Sequence, residues 1–116
     1  MSPLNAVSSP TAAGYRDVPV AAARPLLAAA RLVDVREPHE FTGELGHIAG
    51  AELVPLATVV DATATWDRHA PLLIICRSGG RSARAATALA GAGFVELYNL
   101  SGGMLAWNDA GFPVAR

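Results

Sequence analysis

Apolar and polar residues alternate along the chain in blocks that predict strands separated by helices. The continuous apolar run "PLLIIC" at 71–76 is typical of a parallel strand covered on both faces, and it marks the centre of a sheet. Three shorter runs that end in charged or turn residues predict further strands: "RLVDVRE" at 31–37, "AELVPL" at 51–56 and "VELYNL" at 95–100.

The segments between these runs favour helices. "SARAATALAGAGF" at 82–94 is rich in alanine and ends in glycines, as helices commonly do. Helices are also predicted for "PVAAARPLLAAA" at 19–30, which Pro25 should break or divide, for "ATVVDATATW" at 57–66 and for "GGMLAWNDAGF" at 102–112, with a turn or short helix in "EPHEF" at 37–41. This alternation predicts a single α/β domain, with a central parallel sheet of about five strands and helices on both faces.

Length and composition limit the possible functions. A chain of 116 residues forms one domain. Residues 1–14 are rich in Ser, Pro, Ala and Thr and predict a flexible tail, so the domain itself should cover 15–116. The formal net charge of −1 excludes a global basic field for nucleic acid. All nine basic residues are arginines, which excludes a Schiff-base lysine and a phosphate-loop lysine.

The single cysteine cannot form an intramolecular disulfide, so a reduced compartment is sufficient for this chain. The N-terminus lacks the charged and apolar regions of a secretory signal. No segment has the roughly 20 consecutive apolar residues of a membrane span. We therefore expect a cytoplasmic protein without a membrane partner.

The only cysteine, Cys76, lies where the predicted central strand meets the alanine-rich helix, in the loop "CRSGGR". Open parallel sheets bind ligands at the carboxyl ends of their strands. Gly79 and Gly80 lack a Cβ and allow this loop to curl, with its backbone N–H groups directed inward. Together with the N-terminus of the helix, these groups should lower the pKa of the thiol and make it nucleophilic.

Arg77, Arg81 and Arg84 all fall within nine residues of chain that begin at the cysteine. Guanidinium groups suit polyatomic oxyanions, so the substrate should be a small anion. A free cysteine at a strand end is also often a buried and inert core residue. The glycine pair, the arginines and the strand-to-helix turn favour a reactive thiol over that alternative.

Four motifs together resemble the rhodanese family of sulfurtransferases: "LVDVREPHEF" at 32–41, "GHIAGAELVPL" at 46–56, "CRSGGRSA" at 76–83 and "LSGGMLAW" at 100–107. Each motif is weak alone, but the four in this order are specific. The resemblance implies that Cys76 accepts a sulfane sulfur from an anionic donor such as thiosulfate, becomes a persulfide, and passes the sulfur to cyanide, a thiol or a sulfur-carrier protein. It also implies that no cofactor is needed and that the loop binds the substrate through Arg77, Ser78, Gly79, Gly80, Arg81 and Ser82.

Two other functions stay open at this point. A cysteine-dependent phosphatase or arsenate reductase uses a Cys-x5-Arg loop, whereas Cys76 and Arg81 form the shorter Cys-x4-Arg, too narrow a bowl for a tetrahedral phosphoryl group. A non-catalytic or relay module of the same family would serve a protein partner. The intact Cys76 loop argues against a module without chemistry.

Asp34 and Arg36 end the strand "RLVDVRE" on the same edge of the sheet as the cysteine loop. Asp34 is interpreted either as orienting that loop or as half of an ion pair. Arg36 is interpreted as an anchor for segment 36–47, with Glu44 as a partner, because a buried arginine needs pairing.

The remaining polar and aromatic residues are interpreted as structural. His39, His47 and His69 lack the spacing of zinc ligands, so no metal site is expected. His47 should fix the turn into the next strand. Trp107 and Leu105 are interpreted as core residues.

Overall fold

A computed structural model describes all 116 residues. Its strands are β1 (Ser9–Pro10), β2 (Arg16–Pro19), β3 (Arg31–Asp34), β4 (Glu52–Leu53), β5 (Leu72–Ile75) and β6 (Leu97–Ser101). They form one sheet in the order β1-β2-β6-β5-β3-β4. β2 to β6 are parallel, and β1 pairs antiparallel with β2 at one edge. The predicted α/β fold is confirmed, with six strands rather than about five. β3 to β6 overlap the four predicted runs, whereas β2 and the short edge strand β1 lie in segments for which the sequence pattern predicts no strand.

The helices lie between the strands, close to the predicted positions. They are α1 (Val20–Ala23), α2 (Pro38–Phe41), α3 (Val59–Ala62), α4 (Gly80–Gly91) and α5 (Gly103–Asp109), with 3₁₀-helices at Pro3–Val7, Arg24–Ala29 and Leu56–Thr58. Pro25 divides the first predicted helix as expected, because α1 ends one residue before Arg24 and the 3₁₀-helix that follows contains a non-helical Leu26. Not one of these helices combines the length and the apolar character that a bilayer-spanning helix requires.

The central strand β5 is fully buried, and its residues alternate between the two faces of the sheet. Leu73 and Ile75 belong to a core cluster that contains Trp107 of α5. Leu72 and Ile74 belong to a second cluster, formed largely with α4. The two clusters confirm that helices cover both faces, and they explain why the run at 71–76 contains no polar residue.

The N-terminal residues differ from the flexible tail that we expected for 1–14. Pro3–Val7 forms a 3₁₀-helix that packs on α1 and β2, and Ser9–Pro10 forms β1. Leu4 is fully buried in the same core cluster as Trp107. A single leucine within a polar segment has no periodicity that a sequence pattern can reveal. Its burial depends on an apolar surface that exists only once α1 and β2 are assembled.

Gly103 allows the start of α5 to pack directly against the end of β5. Its φ is 54°, in the left-handed region that favours glycine. The N–H groups of Met104 and Leu105 donate to the carbonyl oxygens of Cys76 and Arg77, each at 2.9 Å. A Cβ on Gly103 would lie 2.5 Å from the Cys76 oxygen and 2.7 Å from the Arg77 oxygen. The first turn of α5 therefore fixes the backbone at the start of the cysteine loop through these two hydrogen bonds.

Gly103→Ala should lower the free energy of unfolding by more than about 2 kcal/mol, because the new Cβ meets fixed carbonyl groups at a positive φ. Gly91→Ala is the matched control, since a Cβ there meets nothing within 4 Å. It should cost nothing and can add up to about 1 kcal/mol. Urea unfolding of both variants measures the contrast. Equal stabilities would contradict the close packing at Gly103.

Candidate functional site

The loop after β5 curls around the sulfur atom of Cys76. Gly79, immediately before α4, has a φ of 103° in the left-handed region. This conformation directs its N–H toward the sulfur, so that the nitrogen lies 3.0 Å from Sγ. Ser82 Oγ, from the first turn of α4, lies 3.2 Å from the same Sγ. A side chain at Gly79 would also approach the Gly102 nitrogen to 3.3 Å, so the turn requires glycine for two reasons.

Cys76 is only 1% exposed, so its loop covers the sulfur rather than leaving it open. On one side the residue packs in the apolar cluster that includes Val35 and Ala86. On the other side the sulfur contacts the Gly79 N–H and the Ser82 hydroxyl. The thiol therefore lies at the boundary between the hydrocarbon core and a polar loop.

Burial by itself raises the pKa of the Cys76 thiol. The backbone N–H groups of Ser82, Gly79 and Ser78, and the Ser82 hydroxyl whenever it donates to the sulfur, oppose this effect and hold the pKa below its usual value. The N-terminus of α4, a helix of 12 residues, adds the positive end of its dipole beside the sulfur. These groups favour the nucleophilic, ionised form of the sulfur.

The three arginines of this region have different surroundings. Arg81 Nη1 and Nη2 donate to the two carboxylate oxygens of Glu40, both at 2.7 Å. Arg77 and Arg84 are exposed and have no ion-pair partner. Arg77 lines a cavity of about 390 Å³, and Arg84 lines a second cavity of about 300 Å³ beside Arg81. The guanidinium groups of Arg77 and Arg84 are thus free of ion pairs, whereas that of Arg81 is paired with Glu40.

Glu40 is the part of this pairing that sequence reasoning missed. It occupies the third position of α2 and accepts the Glu37 N–H at 3.1 Å, as in a capping box. The segment "EPHE" shows that capping role. The partner Arg81 lies 41 residues later in the chain, and only the folded chain brings the two side chains together. The link joins α2 to the end of the cysteine loop.

A buried ion pair anchors the segment that carries α2. Arg36 Nη2 lies 2.8 Å from Asp34 Oδ2, and the two side chains are 1% and 0% exposed. Arg36 also donates to the carbonyl oxygens of Glu40 at 3.2 Å and of Gly46 at 2.7 Å. Arg36 therefore has the anchoring role that we expected. Its carboxylate partner, however, is Asp34 and not Glu44, because the side chains of residues two apart in an extended segment lie on the same side. The Asp34 side chain hydrogen-bonds to Arg36 alone and forms no hydrogen bond with the cysteine loop.

His47 has a structural role, but its contacts join it to Phe41 and Ala115 rather than to the turn into the next strand. Its Nδ1 lies 2.8 Å from the Phe41 carbonyl oxygen, and its ring stacks on the Phe41 ring with centroids 3.7 Å apart. Its backbone also pairs with Ala115 near the C-terminus. No three His, Cys, Asp or Glu side chains lie close enough together to hold a metal ion.

Leu105 differs from its interpretation as a core residue. It is 38% exposed and lines the cavity beside Arg77. Its neighbour Trp107 is buried as expected, and the Trp107 indole N–H donates to the Pro113 carbonyl oxygen at 2.9 Å. The difference follows from the periodicity of α5, in which residues two apart point to different sides.

Sequence reasoning also missed two residues that extend the contacts of the loop, Asn99 of β6 and Asp17 of β2. Ser82 Oγ bonds to Asn99 Oδ1 at 2.5 Å, and Asn99 Nδ2 donates to Asp17 Oδ1 at 2.9 Å. The one available signal was an asparagine inside the otherwise apolar centre of β6, since a buried polar side chain requires a partner. The identity of that partner depends on how β2 pairs with β6.

Comparison with known proteins gives a consistent result over most of the chain. The model of the rhodanese-like domain family matches residues 20–110. The chain is 42% identical over 82 residues to "Thiosulfate sulfurtransferase GlpE" of Ectopseudomonas mendocina, covering 71% of this chain and 72% of that protein. It is also 42% identical over 78 residues to "Uncharacterized protein YqhL" of Bacillus subtilis, covering 67% of this chain and 60% of that protein. The match therefore spans less than two thirds of YqhL.

The fold has solved counterparts. The crystal structure of a rhodanese-related protein from Thermoplasma volcanium matches with a TM-score of 0.78 at 30% sequence identity. The match covers 87% of this chain and 98% of that one. The unmatched part of this chain is thus small.

Glu40→Gln should weaken the attachment of α2 to the cysteine loop in a pH-dependent way. Arg81 lowers the pKa of Glu40 from 4.5 to about 2, so the stabilisation is complete above about pH 5 and is lost as the pH falls toward about 2. At neutral pH the variant should be less stable by about 1 kcal/mol, and the difference should shrink steadily below about pH 5 and disappear only as the pH falls through about 2. Urea unfolding over this pH range measures it.

The exposed Glu44 provides the control, because Glu44→Gln removes a carboxylate of the same segment that forms no ion pair. This variant should unfold like the wild type at every pH. A Glu40→Gln defect of constant size from neutral to acidic pH would argue against the ion pair.

Proposed function

Because the chain belongs to the rhodanese-like domain family, we propose that it is a sulfurtransferase that carries a sulfane sulfur on Cys76. The donor is a small anion such as thiosulfate, and the acceptor is a nucleophile such as cyanide or a thiol. The position of Sγ carries this proposal, since it lies 3.0 Å from the Gly79 nitrogen at the N-terminus of α4. A relative named as a thiosulfate sulfurtransferase, at 42% identity, supports the same class of reaction.

In the first half-reaction, the Cys76 thiol gives its proton to solvent and the thiolate attacks the outer sulfur of thiosulfate. A new S–S bond forms, the bond between the two sulfur atoms of thiosulfate breaks, and its electron pair leaves with sulfite. Cys76 then carries a persulfide whose terminal sulfur is anionic. The Gly79 N–H lies 3.0 Å from Sγ, where it is placed to stabilise negative charge on the attacking thiolate.

In the second half-reaction, the acceptor attacks the terminal sulfur of the persulfide. The S–S bond breaks and its electron pair returns to Sγ, which restores the thiolate. Cyanide would leave as thiocyanate, and a thiol would leave as a persulfide. Because the sum of the two steps moves one neutral sulfur atom between nucleophiles, no external oxidant or reductant is required.

The loop residues divide this work. The exposed Arg77 and Arg84 attract the anionic donor, and the backbone N–H groups of Ser78 and Gly79 are directed at the sulfur. Arg81 is held by Glu40 and fixes the end of the loop. Since Cys76 is 1% exposed, the loop must open for the donor to reach Sγ.

Treatment with thiosulfate should add one sulfur atom to the intact mass of the protein, and reduction should remove it. Cys76→Ser should show no gain, because the chain has no other cysteine. Addition of cyanide to the loaded protein should release thiocyanate. A wild-type mass that does not change would overturn the enzymatic proposal and favour a module that binds a partner without chemistry.

Arg77 and Arg84 should make the thiol prefer anionic reagents. We expect the ratio of the alkylation rates with iodoacetate and iodoacetamide to fall about fivefold in Arg77→Gln/Arg84→Gln, because two nearby positive charges are removed. The ratio cancels changes in the pKa of the thiol, and the preference should weaken with added salt.

Arg31→Gln is the matched control. Arg31 begins β3, so it lies at the amino ends of the parallel strands, whereas Cys76 follows the carboxyl end of β5. It forms an exposed ion pair with Glu52. Its alkylation ratio should equal that of the wild type. The same fall in both variants would mean that net charge, rather than these two arginines, sets the preference.

A further inference from the structure

A chain of hydrogen bonds runs from the sulfur of Cys76, through the buried Ser82 and Asn99, to the half-buried Asp17 of β2 on the far side of β6. It leads from Sγ to Ser82 Oγ at 3.2 Å, from Ser82 Oγ to Asn99 Oδ1 at 2.5 Å, and from Asn99 Nδ2 to Asp17 Oδ1 at 2.9 Å. Ser82 is 0% exposed and Asn99 is 5% exposed. Water therefore does not compete for the polar atoms of Ser82 and Asn99, and each of their protons has few alternative acceptors.

The orientation of the Asn99 amide is determined by its surroundings. Its Nδ2 faces two acceptors, Asp17 Oδ1 at 2.9 Å and the Gly79 carbonyl oxygen at 3.4 Å. The reversed amide would place Oδ1 against both of these oxygens, which is repulsive. Asn99 Oδ1 must therefore face Ser82.

This orientation decides where the proton of Ser82 lies. Asn99 Oδ1 can only accept, so the single hydroxyl proton of Ser82 is donated to it. Toward Cys76, Ser82 is then left as an acceptor, and the 3.2 Å contact is made by the S–H of a neutral thiol. An ionised sulfur can receive the Ser82 proton only when the hydroxyl turns away from Asn99, which leaves a buried oxygen without a partner.

We propose that Asn99 is a positioning residue that holds the Ser82 proton away from Cys76 and so opposes ionisation of the resting thiol, with Asp17 fixing the Asn99 amide. In one respect this inference rests on the proposed function: an anionic persulfide would turn the Ser82 hydroxyl toward sulfur, so that sulfur loading and the hydroxyl orientation are coupled. The protonation state of the thiol itself is measurable without any sulfur donor.

Other charged groups surround the sulfur and act in parallel with this chain. Arg81 on α4 is paired with Glu40 of α2, and Arg77 follows Cys76 directly. From β3, the paired Asp34 and Arg36 face the same end of the sheet, and from β2 the carboxylate of Asp17 lies behind Asn99. A test must therefore change Asn99 while these groups stay in place.

Asn99→Val removes the acceptor and keeps a residue suited to a strand. The thiolate, followed by its ultraviolet absorbance, should then form at lower pH, and alkylation by iodoacetamide below the titration midpoint should be about threefold faster, because Ser82 is free to donate to the sulfur. In a Ser82→Ala background the same substitution should shift nothing. This double-mutant cycle isolates the path through the hydroxyl from any direct effect of Asn99.

Asp17→Asn gives a second route to the same answer, because this half-buried site tolerates an amide and the Asn99 amide can then reverse. It should also move the titration to lower pH, by more when Ser82 is present than when it is alanine. Unchanged titrations, shifts to higher pH, or shifts of equal size with and without Ser82 would overturn the inference. Failure to load sulfur from thiosulfate would instead count against the proposed function and would leave the titration result valid.

Discussion

A charged sulfur within a protein core is stable only where hydrogen-bond donors replace the water it has lost, and this constraint governs the region around Cys76. The residue has apolar neighbours on one side, so every compensating group must come from the other. The Gly79 N–H, the first turn of α4 and the Ser82 hydroxyl occupy that side. Their positions depend on the left-handed turn at Gly79, which brings a backbone donor back to a sulfur three residues earlier.

Such a turn needs support, because a loop with adjacent glycines loses much conformational freedom when it is ordered. The fold supports it at both ends. The N–H groups at the start of α5 bind the carbonyl groups of Cys76 and Arg77. Arg81 is bound by Glu40, and α2, which carries Glu40, is anchored by the buried pair of Asp34 and Arg36. Residues with no direct contact with the sulfur thus determine how precisely it is surrounded.

The same arrangement explains how a reactive thiol can be both activated and covered. Backbone donors favour the charged sulfur, whereas burial and the commitment of the Ser82 proton to Asn99 oppose it. The balance leaves a thiol that is 1% exposed, beside unpaired arginines at the surface of the loop. Anions are attracted to the loop, while solvent has little access to the sulfur. The proposed function as a sulfur carrier agrees with this combination, because a persulfide exposed to solvent would be lost to unintended acceptors.

The sequence by itself determined the order of four of the strands and of the helices between them, the buried central strand within 71–76 and the cysteine loop, because these follow from local periodicity, glycine positions and the spacing of four motifs. It also indicated that Arg36 needs a buried partner. Only the tertiary structure decided that Glu40 binds Arg81, that Asn99 and Asp17 extend the contacts of Ser82, and that Leu4 belongs to the core. Each of these contacts joins residues far apart in the chain, and which side chains meet depends on the strand order and the packing of helices against the sheet, which local patterns do not encode.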